Sequence, residues 1–302
     1  MRIVSDLNEA FQKETCIALG FFDGVHLGHR AVIGNTVNRR AAGQEAVVFS
    51  FSAADAVPFR KRGAKWLTTS AQKAAKLAAL GVDIFVEPPF ASISSRTPEE
   101  FANFLIRRMH VRYVTCGYDY RFGRGASGTV DDLRRLLEPA GAVVDCITPV
   151  RDEGETISST HIRELLADGN AVEAARLLGA PFALDTPVVH GRGLGRELGS
   201  PTANQRFPDN FLVPRHGVYA TRVLVDGAAY PAVTNVGIKP TVGDALPGAE
   251  TWILGFEGDL YNRSVETQFL QFLREEKKFD SLEALAAQIR ADGETAKALL
   301  EK

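Results

Sequence analysis

The sequence is short of everything that would assign it to a membrane, a disulfide scaffold or a nucleic-acid complex. Its 302 residues include three cysteines, Cys16, Cys116 and Cys146. They are odd in number, lack metal-ligand spacing and lie in apolar strand-like runs. This excludes a disulfide framework and reads as buried thiols of a reducing compartment. No stretch approaches the roughly 18 apolar residues of a membrane span, and the first residues carry no apolar signal region. The 35 basic residues are balanced by 37 acidic ones without a basic run, so no electrostatic surface for nucleic acid is evident. The expectation is a cytoplasmic protein with no membrane and no nucleic-acid partner, binding small anions at local sites. On a prior of about 150 residues per domain, the length suits two domains.

What the chain does have is concentrated in glycine-rich turns. An apolar run from Cys16 to Gly20, leading into the stretch Ala18 to Arg30, suits a buried strand, and a helix can begin near Leu27. A strand, a loop and a helix start expose backbone N–H groups beside the positive end of the helix dipole, which is an anion site. His26 and His29, at i and i+3, can face one phosphate, and Gly28 between them leaves room for a nucleotide. A lone histidine is more often an ordinary turn or core residue. Two of six histidines in one glycine-flanked turn favour the phosphate role.

Around this stretch, helices and short apolar strands alternate. Helices are predicted at Leu27 to Ala42, Ala71 to Leu80, from Thr97-Pro98-Glu99-Glu100 to about Met109, and at Leu133 to Leu137. Strands are predicted at Glu45 to Phe51, Val82 to Val86, Val111 to Cys116 and Ala142 to Ile147. The alternation means βαβ units and a mostly parallel sheet, whose ligands collect at the carboxyl ends of the strands. The loops after Phe51, Cys116 and Val150 reach that same edge. The last, Ile157 to Arg163, offers Ser158, Ser159 and Thr160 at a helix start, with Arg163 in the first turn. Plain N-capping is the alternative for these hydroxyls.

After the helix Ala171 to Leu178 the pattern changes. Val188-Val189, Val218 to Val225, Tyr230 to Val236, Thr251 to Phe256 and Val265 to Phe269 are β-prone runs without intervening helices, which suggests a small barrel. Ser281 caps a final helix, Leu282 to about Arg290. The domain boundary falls near 180–186 and is taken as 1–183 and 184–302. Within His190 to Asn204, four glycines in nine residues, Gly191, Gly193, Gly195 and Gly199, allow close backbone approach to a polyphosphate. Thr202 and Asn204, at i and i+2, point the same way if extended, and both offer oxygen to a hard cation.

The patterns Gly-Phe-Phe-Asp-Gly-Val-His-Leu-Gly-His at 20–29, Gly-Tyr-Asp-Tyr-Arg-Phe-Gly at 117–123 and Ile-Ser-Ser-Thr-His-Ile-Arg at 157–163 resemble the adenylyltransferase half of prokaryotic bifunctional riboflavin kinase/FMN adenylyltransferases, or FAD synthetases. Gly195 to Asn204, Pro214 to Ala220, Asn235 to Thr241, Glu250 with Asp259-Leu260-Tyr261, and Leu273 to Phe279 resemble the kinase half. The resemblance covers nearly all of the chain. It implies a Rossmann-like nucleotidylyltransferase domain followed by a small riboflavin-kinase β-barrel with a C-terminal helix. The implied reactions are phosphorylation of riboflavin to FMN, and adenylyl transfer from ATP to FMN giving FAD and pyrophosphate. Magnesium with ATP, and riboflavin, FMN and FAD as substrates and products, follow from it.

By the same resemblance Gly20, Phe22, Asp23, Gly28, Ser158, Ser159, Thr160 and Arg163 serve ATP in adenylyl transfer, together with His26 and His29. Gly191, Gly195, Arg196, Gly199 and Pro201 serve ATP in the kinase. Thr202 and Asn204 become ligands of magnesium, Glu250 the general base, and Asp119 and Arg274 residues on the flavin side. The chain departs from the family pattern where Ser52 to Pro58 lacks a Pro-His-Pro, at Ser200 in place of an aromatic residue, and at Asn262 in place of glycine. Asn262 suits a left-handed backbone position. A rival reading keeps the kinase and leaves the N-terminal half inactive or with another acceptor. A flavin sensor without turnover is a third, which the retained Glu250, Thr202 and Asn204 argue against.

Overall fold

The computed structural model describes residues 1–52, 63–191, 202–240 and 245–300. The chain divides into two compact units, Met1–Ala64 with Thr68–Ser158, and Lys65–Leu67 with Ser159–Lys302.

The first unit is a six-stranded parallel sheet flanked by helices. In chain order its elements are β1 (Arg2–Val4), β2 (Thr15–Leu19), α1 (Leu27–Arg39), β3 (Glu45–Phe49), α2 (Ser70–Ala79), β4 (Ile84–Val86), α3 (Pro98–Arg107), β5 (Val111–Gly117), α4 (Val130–Leu137) and β6 (Val143–Ile147). A short hairpin follows, β7 (Arg151–Asp152) with β8 (Glu155–Thr156). The strand order is β1-β4-β3-β2-β5-β6. All five residues of β2 are buried, as a central strand covered on both faces requires. Alternation then sorts the packing. Ala18, Val48 and Phe85 meet Val32, Ile33, Ala74 and Leu77 of α1 and α2 on one face. Ile17, Leu19, Val47 and Phe49 meet Phe101, Leu105, Leu133 and Leu137 of α3 and α4 on the other. The sheet grows from β2 toward β3 and β4 on one side and toward β5 and β6 on the other. The loop leaving β2 therefore sits at the switch point where such sheets take their ligands.

Local chemistry fixes the helix starts. The Thr69, Thr97 and Thr129 hydroxyls each accept from the N–H of the third helical residue, each threonine donates its own N–H to that residue's side chain, and Pro98 opens α3.

The second unit begins with α5 (Ser159–Ala167) and α6 (Ala171–Leu178). These precede β9 (Phe182–Val189), β10 (Thr202–Arg206), β11 (Gly217–Val225), β12 (Ala228–Pro240), β13 (Ala245–Ile253), β14 (Ser264–Arg274) and α7 (Leu282–Leu300). The strands close as β10-β13-β12-β11-β14-β9, and every neighbouring pair is antiparallel. The barrel interior is partly polar and internally satisfied. The Thr234 hydroxyl bonds those of Thr221 at 2.8 Å and Thr251 at 2.9 Å. Gln205 donates to the carbonyls of Thr186 and Val265, both at 2.9 Å, and accepts from the Thr267 hydroxyl at 2.7 Å. Outside, Ala296 and Leu299 of α7 pack on Val218, Ala220, Val233 and Trp252.

Some elements differ from the sequence-based expectation. β1 carries only three residues, too few for a periodic signal. β9 begins at Phe182 rather than at Val188, and β10 occupies what reads as the end of a loop. α7 continues ten residues past Arg290, through Asp292-Gly293. That pair looks like a helix stop, yet a Cβ on Gly293 would lie 2.8 Å from the Trp252 ring, so the glycine permits close packing on the barrel. Asn262 adopts φ 62°, the left-handed position for which asparagine is suited.

Candidate active sites

The loop from Gly20 to His26 is held in an unusual shape by burial. Phe22, Gly24 and Val25 have φ of 55°, 86° and 49°. Two of these carry side chains for which the left-handed region is unfavourable, and for a β-branched valine it is a true outlier. Phe22 and Val25 are both buried, and that packing holds the backbone there. Beneath it the buried Asp23 carboxylate accepts from the Thr68 N–H at 3.2 Å and from its hydroxyl at 3.4 Å, while Thr68 Oγ1 accepts from the Gly24 N–H at 3.2 Å.

The loop ends at His26, the N-cap of α1. Its Nδ1 accepts from the His29 N–H at 3.3 Å, replacing the usual serine or threonine oxygen. An Nδ1 that accepts leaves the ring proton on Nε2, so His26 carries an N–H donor. The His29 ring stacks on it with centroids 3.6 Å apart and 18° between planes, and meets Phe22 edge-on at 5.4 Å. A Cβ on Gly28 would lie 3.1 Å from His26 Cε1, 3.2 Å from its Nδ1 and 3.6 Å from the Ile157 carbonyl oxygen. The segment ending in Ser158 thus passes beside the histidines. A Cβ on Gly20 would fall 2.7 Å from the Phe22 ring. Gly20, Phe22, Asp23, His26, Gly28, His29 and Ser158 are therefore gathered at one end of the sheet. Ser159, Thr160 and Arg163 open α5 in the second unit. Ser159 is buried, Thr160 is exposed, and Arg163 Nε donates to the Lys65 carbonyl at 2.6 Å.

Asp119 is exposed in the loop that leaves β5, beside the switch point. Gly123 in this loop has φ 72° and a Cβ there would lie 2.9 Å from Pro98, so only glycine fits. Sequence reasoning missed a buried ion pair under this edge. Lys73 of α2 meets Glu87, just past β4, at 3.0 Å, and Glu87 also accepts from the Ser70 hydroxyl. Lys73 Nζ lies 4.9 Å from the centre of the Phe21 ring. Its sequence context, an Ala- and Lys-rich helix, resembles a solvated one.

In the second unit the candidate residues fall on one cross-strand row. Asn204 of β10 lies opposite Glu250 of β13, and Glu250 lies opposite Asn235 of β12. Asn235 lies opposite Val218 of β11, which in turn lies opposite Arg274 of β14. Directly opposed residues share a face with Cβ atoms about 4.5–5.5 Å apart. Thr202, two residues before Asn204, shares that face, and its hydroxyl donates to Glu250 Oε1 at 2.8 Å. A Cβ on Gly191 would fall 2.3 Å from Asn204 Nδ2, so the chain leaving β9 runs directly against Asn204. Arg274 is committed to α7: Nη2 and Nε donate to Asp292 Oδ2 at 2.8 and 3.1 Å, and Gln288 also donates to that carboxylate at 2.9 Å. Gly195, Arg196, Gly199 and Pro201, together with the stretch after Ser52 where Pro-His-Pro is missing, lie outside the described residues.

Thr202 and Asn204 supply neutral oxygens, and among the described residues no group of three or more His, Cys, Asp or Glu could hold a metal ion. Such a donor set fits a hard cation whose shell is filled mainly by substrate phosphates and water. No helix of the described residues is long and apolar enough to cross a membrane. All three cysteines are free, and burial pushes the Cys116 thiol up to about 12.

Comparison with known proteins bears on both units. The riboflavin kinase family model matches residues 178–300 and the FAD synthetase model matches residues 8–161. The bifunctional riboflavin kinase/FMN adenylyltransferase of Listeria monocytogenes is 36% identical over 95% of this chain and 92% of that protein. Those of Pseudomonas fluorescens and Escherichia coli K12 are 37% and 34% identical, over 94% and 98% of this chain and 93% and 96% of theirs. A Streptococcus pneumoniae crystal structure titled a macrolide-efflux protein superposes with a TM-score of 0.85 at 30% identity, over 98% of each chain.

Proposed function

The chain belongs to the bifunctional riboflavin kinase/FMN adenylyltransferase family, and from that premise we propose that it makes FAD from riboflavin in two steps, each consuming ATP. We assign adenylyl transfer to residues 1–183 and riboflavin phosphorylation to residues 184–302, in the cytoplasm, where free thiols persist. Riboflavin, FMN and ATP are the small-molecule substrates.

In the kinase step, Glu250 accepts the proton of the primary ribityl hydroxyl as its oxygen attacks the γ-phosphate. ADP leaves and FMN is formed. The Thr202 hydroxyl holds one Glu250 oxygen and so orients the carboxylate. The row from Asn204 through Glu250 to Asn235 carries this assignment, because it sets oxygen donors for a nucleotide and a base for an alcohol side by side. Thr202 and Asn204 are the residues that would hold magnesium. When bound with ATP, the ion neutralises phosphate charge. Gly191, Gly195, Arg196, Gly199 and Pro201 take the nucleotide, and Arg274 stands at the flavin end of the row.

In the adenylyl step, a terminal phosphate oxygen of FMN attacks the α-phosphate of ATP and pyrophosphate departs. Two anions must be brought together, so the protein's work is positioning and spreading charge. The His26 Nε2–H donor at the start of α1, with His29 stacked on it, carries the assignment. Gly20, Phe22, Asp23 and Gly28 shape the loop. Ser158, Ser159, Thr160 and Arg163 are assigned to ATP on the family motif at 157–163, and Asp119 to the flavin side. Incubating the protein with riboflavin and Mg-ATP and separating the flavins by chromatography tests the reading. FAD supports it, FMN alone removes the adenylyl step, and unchanged riboflavin refutes both.

A further inference from the structure

Asn235 is the polar member of the kinase row to which the sequence assigns no role. Its Nδ2 donates to Glu276 Oε1 at 2.8 Å. The same Glu276 carboxylate, though exposed, lies 2.7 Å from where a Gly237 Cβ would be, so a side chain at 237 would displace it. With the amide nitrogen turned to a carboxylate, the orientation of the amide is set: Oδ1 is the atom left over. That oxygen is shielded from solvent and has no hydrogen-bond donor among the described residues. A buried acceptor left unmade is costly, and in a native protein such an atom calls for a ligand or water.

The chemistry of the vacant bond restricts the ligand. Phosphate oxygens are acceptors and cannot satisfy Oδ1, whereas a hydroxyl can. The register gives direction. Thr202 and Asn204, the nucleotide side, flank Glu250 on β10, while Asn235 flanks it on β12. Glu250 therefore separates the phosphate side of the row from the side where an alcohol must stand. Resting on the kinase reading above, we propose that Asn235 Oδ1 accepts a hydrogen bond from a secondary hydroxyl of the riboflavin ribityl chain. This hydroxyl neighbours the one deprotonated by Glu250, so that Asn235 selects a polyol-bearing flavin and aligns its terminal oxygen.

Binding of riboflavin and of lumiflavin, which carries a methyl group in place of the ribityl chain, separates this role from a structural one. The full-length protein is titrated with each flavin by fluorescence in the presence of magnesium and ADP, so that no turnover occurs. Asn235→Ala raises the riboflavin Kd about tenfold and leaves the lumiflavin Kd unchanged, as loss of one hydrogen bond predicts. Glu276→Ala, which removes only the tether, shifts the two flavins alike. Asn235→Leu, close in volume, replaces the alanine variant if that one loses its cooperative melt. The proposal is overturned if Asn235→Ala leaves riboflavin binding intact or weakens both flavins equally. It is also overturned if the magnesium requirement rises instead, which would give Oδ1 to a metal-bound water. Phosphorylation of riboflavin by the parent protein tests the kinase reading separately. A parent that makes no FMN refutes that reading, whatever the ratio of the two flavins.

Discussion

Gly28→Ala asks whether the histidine pair acts through its position. Gly28 is the second residue of α1 and does not need a positive φ. Alanine there is favoured intrinsically, by up to about 1 kcal/mol in a helix interior and less in a first turn. Against this, the new Cβ sits 3.1 and 3.2 Å from Cε1 and Nδ1 of His26, closer than ordinary van der Waals contact, so the ring gives way by a few tenths of an ångström. Nδ1 is the atom that caps α1 through the His29 N–H at 3.3 Å, and loss of an N-cap costs about 0.5–2 kcal/mol. The two effects oppose each other, and stability should change by about 1 kcal/mol or less, roughly 2–4 °C in Tm for a unit of this size. Catalysis has no such compensation. Complete loss of a preorganised donor is worth about 2.7–4 kcal/mol, or 10²–10³ in rate. A partial displacement of His26 is therefore expected to slow FMN-to-FAD conversion by about tenfold or more. The assay follows FAD from FMN and, on the same preparation, FMN from riboflavin; the second rate should stay at the parent value. A Gly28→Ala protein that melts like the parent and makes FAD at the parent rate would refute the assignment of His26 to the adenylyl site.

Glu250→Gln should lower FMN formation by about 10²–10⁴, the usual worth of positioned proton transfer, while FAD formation from supplied FMN continues; equal loss of both would deny two independent sites. Glu87→Gln leaves the buried Lys73 ammonium without its counter-charge and should destabilise by about 3–5 kcal/mol in a denaturant melt, with much of that recovered by combining Lys73→Met with Glu87→Leu. The hydrogen bond from Tyr113, 2.5 Å long, holds the Asp145 carboxyl below its ordinary value despite partial burial. Such a group stabilises above its unfolded value of 3.8 and ceases to do so as pH falls through the lower folded value. The Tm difference between parent and Asp145→Asn should be largest near neutrality and shrink below about pH 4; a constant difference from pH 3 to 7 would refute the linkage.

The sheet was legible because its strands are short apolar runs set off by glycine and proline, and because Thr97-Pro98-Glu99-Glu100 announces α3 with a capping box that forms as written. The start of α1 was legible at Leu27, though not its cap, because a histidine ring in place of a serine oxygen has no common sequence signature. β10 was harder. Thr202-Ala203-Asn204-Gln205-Arg206 lacks β-branched alternation, and it becomes a strand because β13 and β9 pair with it on both sides. Tertiary pairing decides such segments. Asn235 stood inside a recognised pattern but drew no role, since only the register reveals that it faces Glu250. Arg274 was visible as a candidate, while Asp292, which holds it, lies 18 positions away across the irregular segment before α7.

The polar interior of the barrel explains how such a row can be dependable. Residues 202, 204, 235 and 250 come from three strands far apart in sequence, and a slip of one residue in any pairing would turn a candidate side chain to the other face. A purely aliphatic interior tolerates such a slip with little penalty, because hydrophobic contact is not directional. Hydrogen bonds are directional. Thr234 and Thr251 are the chain neighbours of Asn235 and Glu250. Their hydroxyls, bonded at 2.9 Å inside the barrel, can pair only when Asn235 and Glu250 are aligned outside it. Gln205, next to Asn204, is fixed in the same way by the Thr186 and Val265 carbonyls and the Thr267 hydroxyl. Asn204, Asn235 and Glu250 are thus each flanked by an inward-facing polar residue whose bonds would be broken, and left buried, by any other register. The interior threonines and glutamine do little for barrel stability that valine and leucine would not do. Their contribution is to hold three strands in the one alignment that sets Asn204, Glu250 and Asn235 abreast.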